Sequence, residues 1–419
     1  MIVRSRYGAG FKRELNAFEK RDYHQIVSLS SFLESVKNTP AYKDLFDEYG
    51  DLKGVELLEK FPVINKIDVK SHLDDYVNPE CHEDIMMATT SGTTGGGLVF
   101  PYPLSMSDKQ WAVWWRYRRA LGITLDTWCG WFGGKRIIDP NTRKAPFWRI
   151  NRPGKQVMFS SLHLTLNTVD SYHRQIWTKQ ITWLHGYPSH IAKFAAMAID
   201  KGLPPLNNVK YVTTGAENVL GNQVALFKQM FPNAMIRQHY GLAEGVANIS
   251  QNKDGEWIVD DDFAYVEFIP VNEENPNICK IVGTNFHNPA FPLIRYFTGD
   301  IAQVEWKKEN GKNIPQVIKI DGRSANVLKG PDGFEINEAR LSIVLHDFNN
   351  IIESQFIQHS LTDVDLLIVK NHLYNDNDEL KLRDNIAENF DKRIKVNIKY
   401  VDSIQRTAAG KLKLVISEL

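Results

Sequence analysis

The chain has 419 residues, enough for two or three domains with a sizeable core. Lys and Arg total 50 and Asp and Glu total 50, so the formal net charge is zero, which excludes a chain-wide polycation for nucleic acid and an acidic solvating tail. Hydrophobic residues make up 43% and charged residues 24%, a globular and not a disordered composition, and three dispersed cysteines, Cys81, Cys129 and Cys279, form neither a disulfide framework nor a metal knuckle.

A reduced, cytoplasmic compartment is therefore expected. The opening MIVRSRYGAGFKRELNAFEKR holds no apolar core segment and is not read as a signal peptide. Arg21–Pro40 spaces Ile26, Leu29, Phe32, Leu33 and Val36 as a helix that Pro40 stops. Ile85–Ser107 carries no charge, yet its Thr, Gly, Ser and Pro content argues against a membrane span. Ser107–Leu121 reads as a helix capped by Ser107 or Asp108. Between Lys109 and Lys155 stand eleven Lys/Arg against two Asp/Glu, with six of the ten tryptophans. From about residue 180, strands and helices alternate: Lys210–Thr214 as a strand, Val219–Phe231 as a helix, Ala234–Arg237 as a strand. This predicts α/β sheets with crossover helices. Tyr265–Ile320 predicts an added antiparallel sheet or partial barrel. Asp321-Gly322-Arg323 is a turn signal, followed by strands Gln355–Ile357 and Val364–Val369, a helix Asn377–Phe390 and a strand Ile394–Tyr400. The expectation is a large N-terminal α/β domain, 1–323, and a small α+β domain, 324–419.

The strongest chemical signal is Thr89-Thr90-Ser91-Gly92-Thr93-Thr94-Gly95-Gly96-Gly97. Glycines let backbone N–H groups approach a ligand, and hydroxyls add donors, which suits nucleotide phosphates. No Lys-Ser/Thr follows at Walker spacing. A flexible Ser/Gly linker is the plainer alternative, and the apolar flanks Ile85–Met87 and Leu98–Phe100 oppose it.

This segment resembles the Ser/Thr/Gly-rich signature of the adenylate-forming (ANL) superfamily. Further segments resemble its signatures in the same order: Thr214-Gly215-Ala216-Glu217, His239-Tyr240-Gly241-Leu242-Ala243-Glu244, Thr298-Gly299-Asp300, Asp321-Gly322-Arg323 and Arg406-Thr407-Ala408-Ala409-Gly410-Lys411. Asn38–Tyr42 and Phe61-Pro62-Val63-Ile64-Asn65-Lys66 resemble the phenylacetate–CoA ligase branch. Ser160–Leu164 and Leu184–Ser189 are similar to a sub-branch found with capsular-polysaccharide biosynthesis genes.

The resemblance implies the fold of that superfamily, with a mobile C-terminal domain, and an ATP-dependent activation of a small-molecule carboxylate. The acyl-adenylate then passes its acyl group to CoA or to an amine, an amino sugar among them. It implies catalytic roles for Lys411, Glu244 and Arg323. Glu244 would hold Mg²⁺, since a hard cation takes carboxylate oxygen. Nucleotide binding would fall to Thr90, Ser91, Gly92, Thr93, Thr94, Gly95, Gly215, Ala216, Glu217, His239, Tyr240, Gly241, Asp300 and Arg323. The acyl or acceptor pocket would use Trp131, Phe132, Gly133, His185, Tyr187 and Tyr240. ATP, Mg²⁺ and CoA are the cofactors and co-substrates implied, and a homodimer is a further expectation. Each role has a plainer alternative: a helix-end charge for Glu244, turn residues for Asp300 and Arg323, a solvated lysine for Lys411, a core tyrosine for Tyr240.

Three departures stand out. Gly96-Gly97-Leu98 replaces the usual Pro and Lys/Thr after the Gly-rich loop. Ala325 stands where a hinge carboxylate or lysine is usual. Gly330–Ile336 is short and lacks a proline before Glu335. They motivate a rival reading, a non-catalytic nucleotide-binding relative acting as scaffold or regulator. The basic, tryptophan-rich Lys109–Lys155 fits a nucleotide-sugar, a charged glycan or CoA, or else an amphipathic helix with buried tryptophans. Single-stranded nucleic acid uses the same residue mix, but the rest of the chain is not basic and no nucleic-acid partner is expected. The histidines His163, His173, His185, His190 and His239 lack zinc spacing and read as structural, with His185 assigned to the pocket by resemblance alone.

Overall fold

The structure is a computed structural model. It describes residues 7–90, 97–309, 311–323, 327–345, 348, 350–407 and 410–419. The chain divides into two compact units, residues 1–124 with 239–320 and residues 125–238 with 321–419.

In the first unit the helices Ala9–Lys20 and Leu104–Ala120 pack together. Phe11, Leu15 and Phe18 recur at helical spacing and are buried. The second helix begins three residues before the expected Ser107 cap. It starts directly after Pro103, the last residue of a strand, whose φ of −66° already suits a helix start. The predicted Arg21–Pro40 helix is observed as Gln25–Ser35. It buries Leu29, Phe32 and Leu33 but leaves Ile26 exposed, and Pro40 opens a single 3-10 turn, Pro40–Tyr42, after the helix has ended.

The uncharged stretch is a β-hairpin. Ile85–Thr89 and Val99–Pro103 pair antiparallel with Thr89 opposite Val99, and Phe100 is buried against Phe291 with ring centroids 5.3 Å apart. Among the described residues no helix is long and apolar enough to cross a membrane. Tyr265–Pro270, Ile278–Thr284, Tyr296–Glu309 and Lys312–Arg323 form a four-stranded sheet in that order, with the first two pairings antiparallel, as the strand-after-strand pattern predicts. Its inner face buries Phe268, Cys279, Ile281, Ala302 and Val304.

The second unit is built on parallel strands. Cys129–Phe132 lies between Gln156–Phe159 and Trp183–Gly186, which in turn pairs with Tyr211–Gly215, and all these pairings are parallel. Trp148–Asn151 joins antiparallel at the edge. Helices Val169–Thr178, Pro188–Asp200 and Gly221–Met230 alternate with the strands, as a parallel sheet requires. Val157, Phe159, Leu184, Phe194, Val212 and Phe227 fill the core. Strands and helices thus fall where the sequence places them, with Tyr211–Gly215, Gly221–Met230 and Met235–Gly241 each within a few residues of the prediction.

The same unit holds the chain's last layer. Lys395–Tyr400, Asp363–Lys370, Ile351–Ser360 and Val415–Ser417 make a mixed sheet in that order, covered by the helix Asp376–Asn389. Asn375 and Asp378 form a capping box at that helix's start. The short Gly330–Ile336 segment makes a tight turn, Gly330 N–H to Phe334 O at 2.6 Å, between strands Val327–Lys329 and Glu335–Asn337. Ile352, Val369 and Ile404 bury against the cluster that surrounds helix Pro188–Asp200.

Candidate functional site

Within the first unit, strand geometry sorts the Tyr-Gly-x-x-Glu segment. His239, Tyr240 and Gly241 end the strand Met235–Gly241 and pair with Ser250, Ile249 and Asn248. Alternate residues face opposite sides of a strand. Tyr240 turns to Asp300, to which its hydroxyl donates at 2.8 Å. Burial, and then the Asp300 carboxylate, raise its phenol well above the ordinary value, with Glu244 adding to the effect. Tyr240 therefore stays protonated and donates. Asp300 is held in turn: its N–H donates to Thr298 Oγ1 at 3.1 Å, and Thr298 Oγ1 donates to Ile281 O at 3.0 Å. Gly299 between them has φ +83°, a left-handed conformation that glycine adopts without strain. Glu244 is buried, and its carbonyl accepts from Asn285 Nδ2 at 2.8 Å. Asp300, Tyr240 and Glu244 thus make one acidic, phenol-capped cluster.

His239 faces the other way. Its Nε2 lies 2.7 Å from Asn248 Oδ1, which also accepts from Trp114 Nε1 at 3.0 Å. Asn248 Nδ2 donates to Asp260, and Asp260 and Asp262 both grip Arg116. Burial lowers the His239 pKa to about 4, so the ring is neutral. The structure thus engages His239 in an internal polar chain.

The first unit also carries the Gly-rich hairpin. Thr90 N–H donates to Leu98 O at 2.9 Å and Thr90 Oγ1 accepts from Leu98 N–H at 2.8 Å, so the two ends of the loop are clasped. Ser91, Gly92, Thr93, Thr94 and Gly95 lie outside the described residues. Lys66 Nζ lies 3.3 Å from Thr90 Oγ1. Lys66 opens the helix Lys66–Ser71 under a capping box made by Asn65 and Asp68. Two residues earlier Ile64 is bound to the strand that carries Asp300: Ile64 N–H to Arg295 O at 3.1 Å and Phe297 N–H to Ile64 O at 2.7 Å. The sequence gives Lys66 no site role; its proximity to Thr90 depends on this bridge.

The basic, tryptophan-rich segment is used largely from within at its helical end. Trp115 is buried, Tyr7 packs edge-on against Trp111 and Trp115, Arg118 lies over both indoles, and Arg119 pairs with Glu19. That end is an amphipathic helix with Trp115 buried and Trp111 and Trp114 half-buried.

Within the second unit the remaining candidates gather at the carboxyl ends of the parallel strands, where open α/β sheets bind ligands. Phe132 leads into Gly133-Gly134, Gly186 into Tyr187-Pro188, and Gly215 into Ala216-Glu217. Trp131 stands opposite His185 in register. Phe132 is placed in the core, 1% exposed and stacked on Phe159, so its side chain serves packing. His185 Nδ1 lies 2.9 Å from Thr213 Oγ1 and 3.1 Å from Thr213 O, so the ring is tied to the neighbouring strand Tyr211–Gly215. Tyr187 packs beside His190, and burial followed by the Glu217 carboxylate raises its phenol pKa. The Lys411 ammonium lies 5.9 Å from the Tyr187 ring centroid.

Lys411 is carried on a tight turn. Gly410 N–H donates to Thr407 O at 2.8 Å, Lys411 N–H to Thr407 Oγ1 at 3.0 Å and Thr407 N–H to Lys411 O at 3.0 Å. Ala408 and Ala409 lie outside the described residues. Arg406 donates to Ser189 Oγ at 2.8 Å and pairs with Glu353, which also faces Lys193 at 3.6 Å. Glu217 accepts from Leu412 N–H at 2.8 Å and from Ser189 N–H at 3.2 Å. Asn218 Nδ2 donates to Asp321 O at 2.9 Å, which ties this segment to the Asp-Gly-Arg end of strand Lys312–Arg323, where the sequence predicts a turn. Of Arg323 the structure describes the backbone alone, at the end of strand Lys312–Arg323. Glu353, Ser189 and Lys193 are residues the sequence analysis missed. A glutamate in the otherwise apolar start of strand Ile351–Ser360 was the available signal.

Among the described residues no three His, Cys, Asp or Glu side chains converge on one point. Glu244 offers a single buried carboxylate, which fits Mg²⁺ held chiefly by nucleotide phosphates and water.

Residues 328–418 match the family described as the CapK C-terminal domain. Over 393 residues, 91% of this chain and 86% of the relative, the sequence is 24% identical to Protein CapK of Staphylococcus aureus. Among solved structures, a 2-hydroxyisobutyryl-CoA ligase in the postadenylation state with its acyl-AMP superimposes with a TM-score of 0.69 at 16% identity, covering 94% of this chain and 89% of that one. The GH3.15 acyl acid amido synthetase superimposes with a TM-score of 0.61 at 13% identity, covering 94% and 90%. The chain has the fold of these two proteins, and its sequence resembles Protein CapK over 91% of its length.

Proposed function

We propose that the protein is an ATP-dependent carboxylate-activating ligase. The observation that carries this reading is the cluster of Asp300, Tyr240 and Glu244 in the first unit, positioned by the Thr298–Asp300 segment of strand Tyr296–Glu309. The clasped Gly-rich hairpin and Lys66 support it from the same unit.

In the first step a carboxylate oxygen attacks the α-phosphorus of ATP. The bond to the β,γ-diphosphate breaks and pyrophosphate leaves, giving an acyl-adenylate. In the second step a thiol or amine attacks the acyl carbon, AMP leaves with the electron pair of the broken bond, and the nucleophile's proton passes to solvent. Asp300 accepts from the ribose hydroxyls while Tyr240 orients it. Backbone N–H groups and hydroxyls of the Gly-rich segment, with Lys66, meet the phosphates. Mg²⁺ at Glu244 would supply neutralisation of phosphate charge. Lys411 provides a point cation for the charge that develops as attack proceeds. The same fold serves a CoA ligase and an acyl acid amido synthetase. The acceptor is CoA or an amine, an amino sugar among them.

The test is carboxylate-dependent ATP–pyrophosphate exchange over aryl, fatty, amino and sugar acids. Exchange with at least one acid is expected. Lys411→Ala should lower its rate by about 100-fold, near the scale of losing one well-placed charge donor, with ATP binding kept. Tight ATP binding with no exchange for any acid would instead favour the non-catalytic relative.

A further inference from the structure

The contacts around Lys411 carry an inference that rests on the proposed ligase reading and deepens it. Lys411 itself is flanked on both chain sides by residues fixed to helix Pro188–Asp200. Upstream, Arg406 reaches Ser189 Oγ and the buried Glu353. Downstream, the N–H of Leu412 is bound by Glu217. Glu217 also accepts from Ser189 N–H, in the first turn of the 13-residue helix, where the helix dipole favours a negative charge. Ser189 is thus the common anchor: its N–H serves Glu217 and its hydroxyl serves Arg406. Gly410 adds a steric element. With φ +79°, it lies so close to Gly134 that a Cβ would fall 2.6 Å from the Gly134 Cα.

We propose that Glu217 and Arg406 are positioning residues that latch the lysine turn onto Ser189. By this reading Glu217, expected from sequence at the nucleotide, acts on catalysis by holding the backbone beside Lys411. A carboxylate suits the task because its two oxygens serve two amides at once, Oε1 for Leu412 and Oε2 for Ser189. Alanine can hold neither and glutamine only one as an oxygen acceptor. Glu217 is enclosed here: burial raises its pKa against the pull of Ser189, Arg406 and the Leu412 amide.

The experiment has two arms on the full chain. In the first, hydrogen–deuterium exchange is followed over 406–414 in wild type, Glu217→Ala, Glu217→Gln and Lys411→Ala. The latch predicts that Glu217→Ala speeds amide exchange at 411–412 by about 10-fold or more, the scale of one charge-assisted bond. Glu217→Gln should fall between and Lys411→Ala should match wild type. This arm does not need the enzyme to turn over, so it stands if the ligase reading fails. In the second arm, ATP–pyrophosphate exchange is measured. Glu217→Ala should lower kcat by up to about 100-fold, as a small misplacement of a catalytic group does, with the KM for ATP little changed. Arg406→Lys, which keeps the charge but not the fork, should lie between. Unchanged protection at 411–412 in Glu217→Ala would overturn the latch. So would a raised KM for ATP with kcat intact, which is the signature of a nucleotide contact. Were Glu217→Ala too unstable to purify, wild-type protection together with wild-type kcat in Glu217→Gln would overturn it equally.

Discussion

Tyr240 shows how one hydroxyl can organise the proposed nucleotide site. Its phenol is held protonated by burial and by the facing carboxylates, so it can only donate to Asp300. Replacing it with phenylalanine keeps the ring and removes the donor. A hydrogen bond to a charged group contributes about 1.5–3 kcal/mol, so Tyr240→Phe should weaken ATP binding by about 10-fold or more through a looser Asp300. Titration of the variant with a non-hydrolysable nucleotide checks this; wild-type affinity would mean that Asp300 is oriented by Thr298 alone. At this scale the sequence was informative where partners are neighbours in the chain. Thr298 and Asp300 are such neighbours, within strand Tyr296–Glu309, where the Asp300 N–H donates to Thr298 Oγ1; their motif was read by resemblance. The partners of Glu217 could not. Leu412 and Ser189 are remote in sequence, and nothing local to a Gly-Ala-Glu segment distinguishes a carboxylate that meets adenine from one that binds backbone amides.

The helix Leu104–Ala120 illustrates the same divide for an element. Its basic and aromatic content suggested a ligand surface, and its periodicity was equally that of a buried stripe. What decides between them is Arg116, clamped by Asp260 and Asp262 from a distant turn. Burial pushes the Asp260 carboxyl pKa up and Arg116 opposes it. Removing one partner of a buried ion pair leaves uncompensated charge, at a cost of about 3–5 kcal/mol. Arg116→Ala should therefore lose that much in chemical denaturation and release the Asn248–His239 chain. A loss below 1 kcal/mol would show that the carboxylates take up protons or water with little penalty. Strand elements were legible because their apolar alternation is local. The hairpin Ile85–Pro103 was not, since a stretch without charge shows no polar face from which to read a period of two.

For the whole molecule, the buried histidines set an acid limit. Burial lowers His190 to about 3 and His239 to about 4, and holds His287 well below the ordinary value. After burial, Arg406 is the next cause at His190. An unfolded histidine takes up its proton near pH 6.5. Below that pH the unfolded chain binds more protons than the folded one, so stability falls as pH falls, by up to about 1.4 kcal/mol per pH unit for each such ring. The carboxyls of Glu217, Asp260 and Glu267, raised by burial, act in the opposite sense as they protonate. The urea midpoint should drop between pH 7 and pH 5, and His190→Gln should flatten the drop. Equal midpoints at the two pH values would refute this. Asp321–Arg323, expected as a turn, ends the strand Lys312–Arg323, and the grouping of 321–419 with 125–238 depends on surfaces such as Ile352, Val369 and Ile404, whose partners lie far back in the sequence. The meeting of Gly410 with Gly134 has a genetic corollary. The atoms that a Gly410 side chain would strike are main-chain atoms, Cα and O of Gly134. A side-chain exchange at position 134 cannot move them aside, so a search for second-site suppressors of Gly410→Ala should find none there and should recover only changes that shift the backbone of the 133–134 turn.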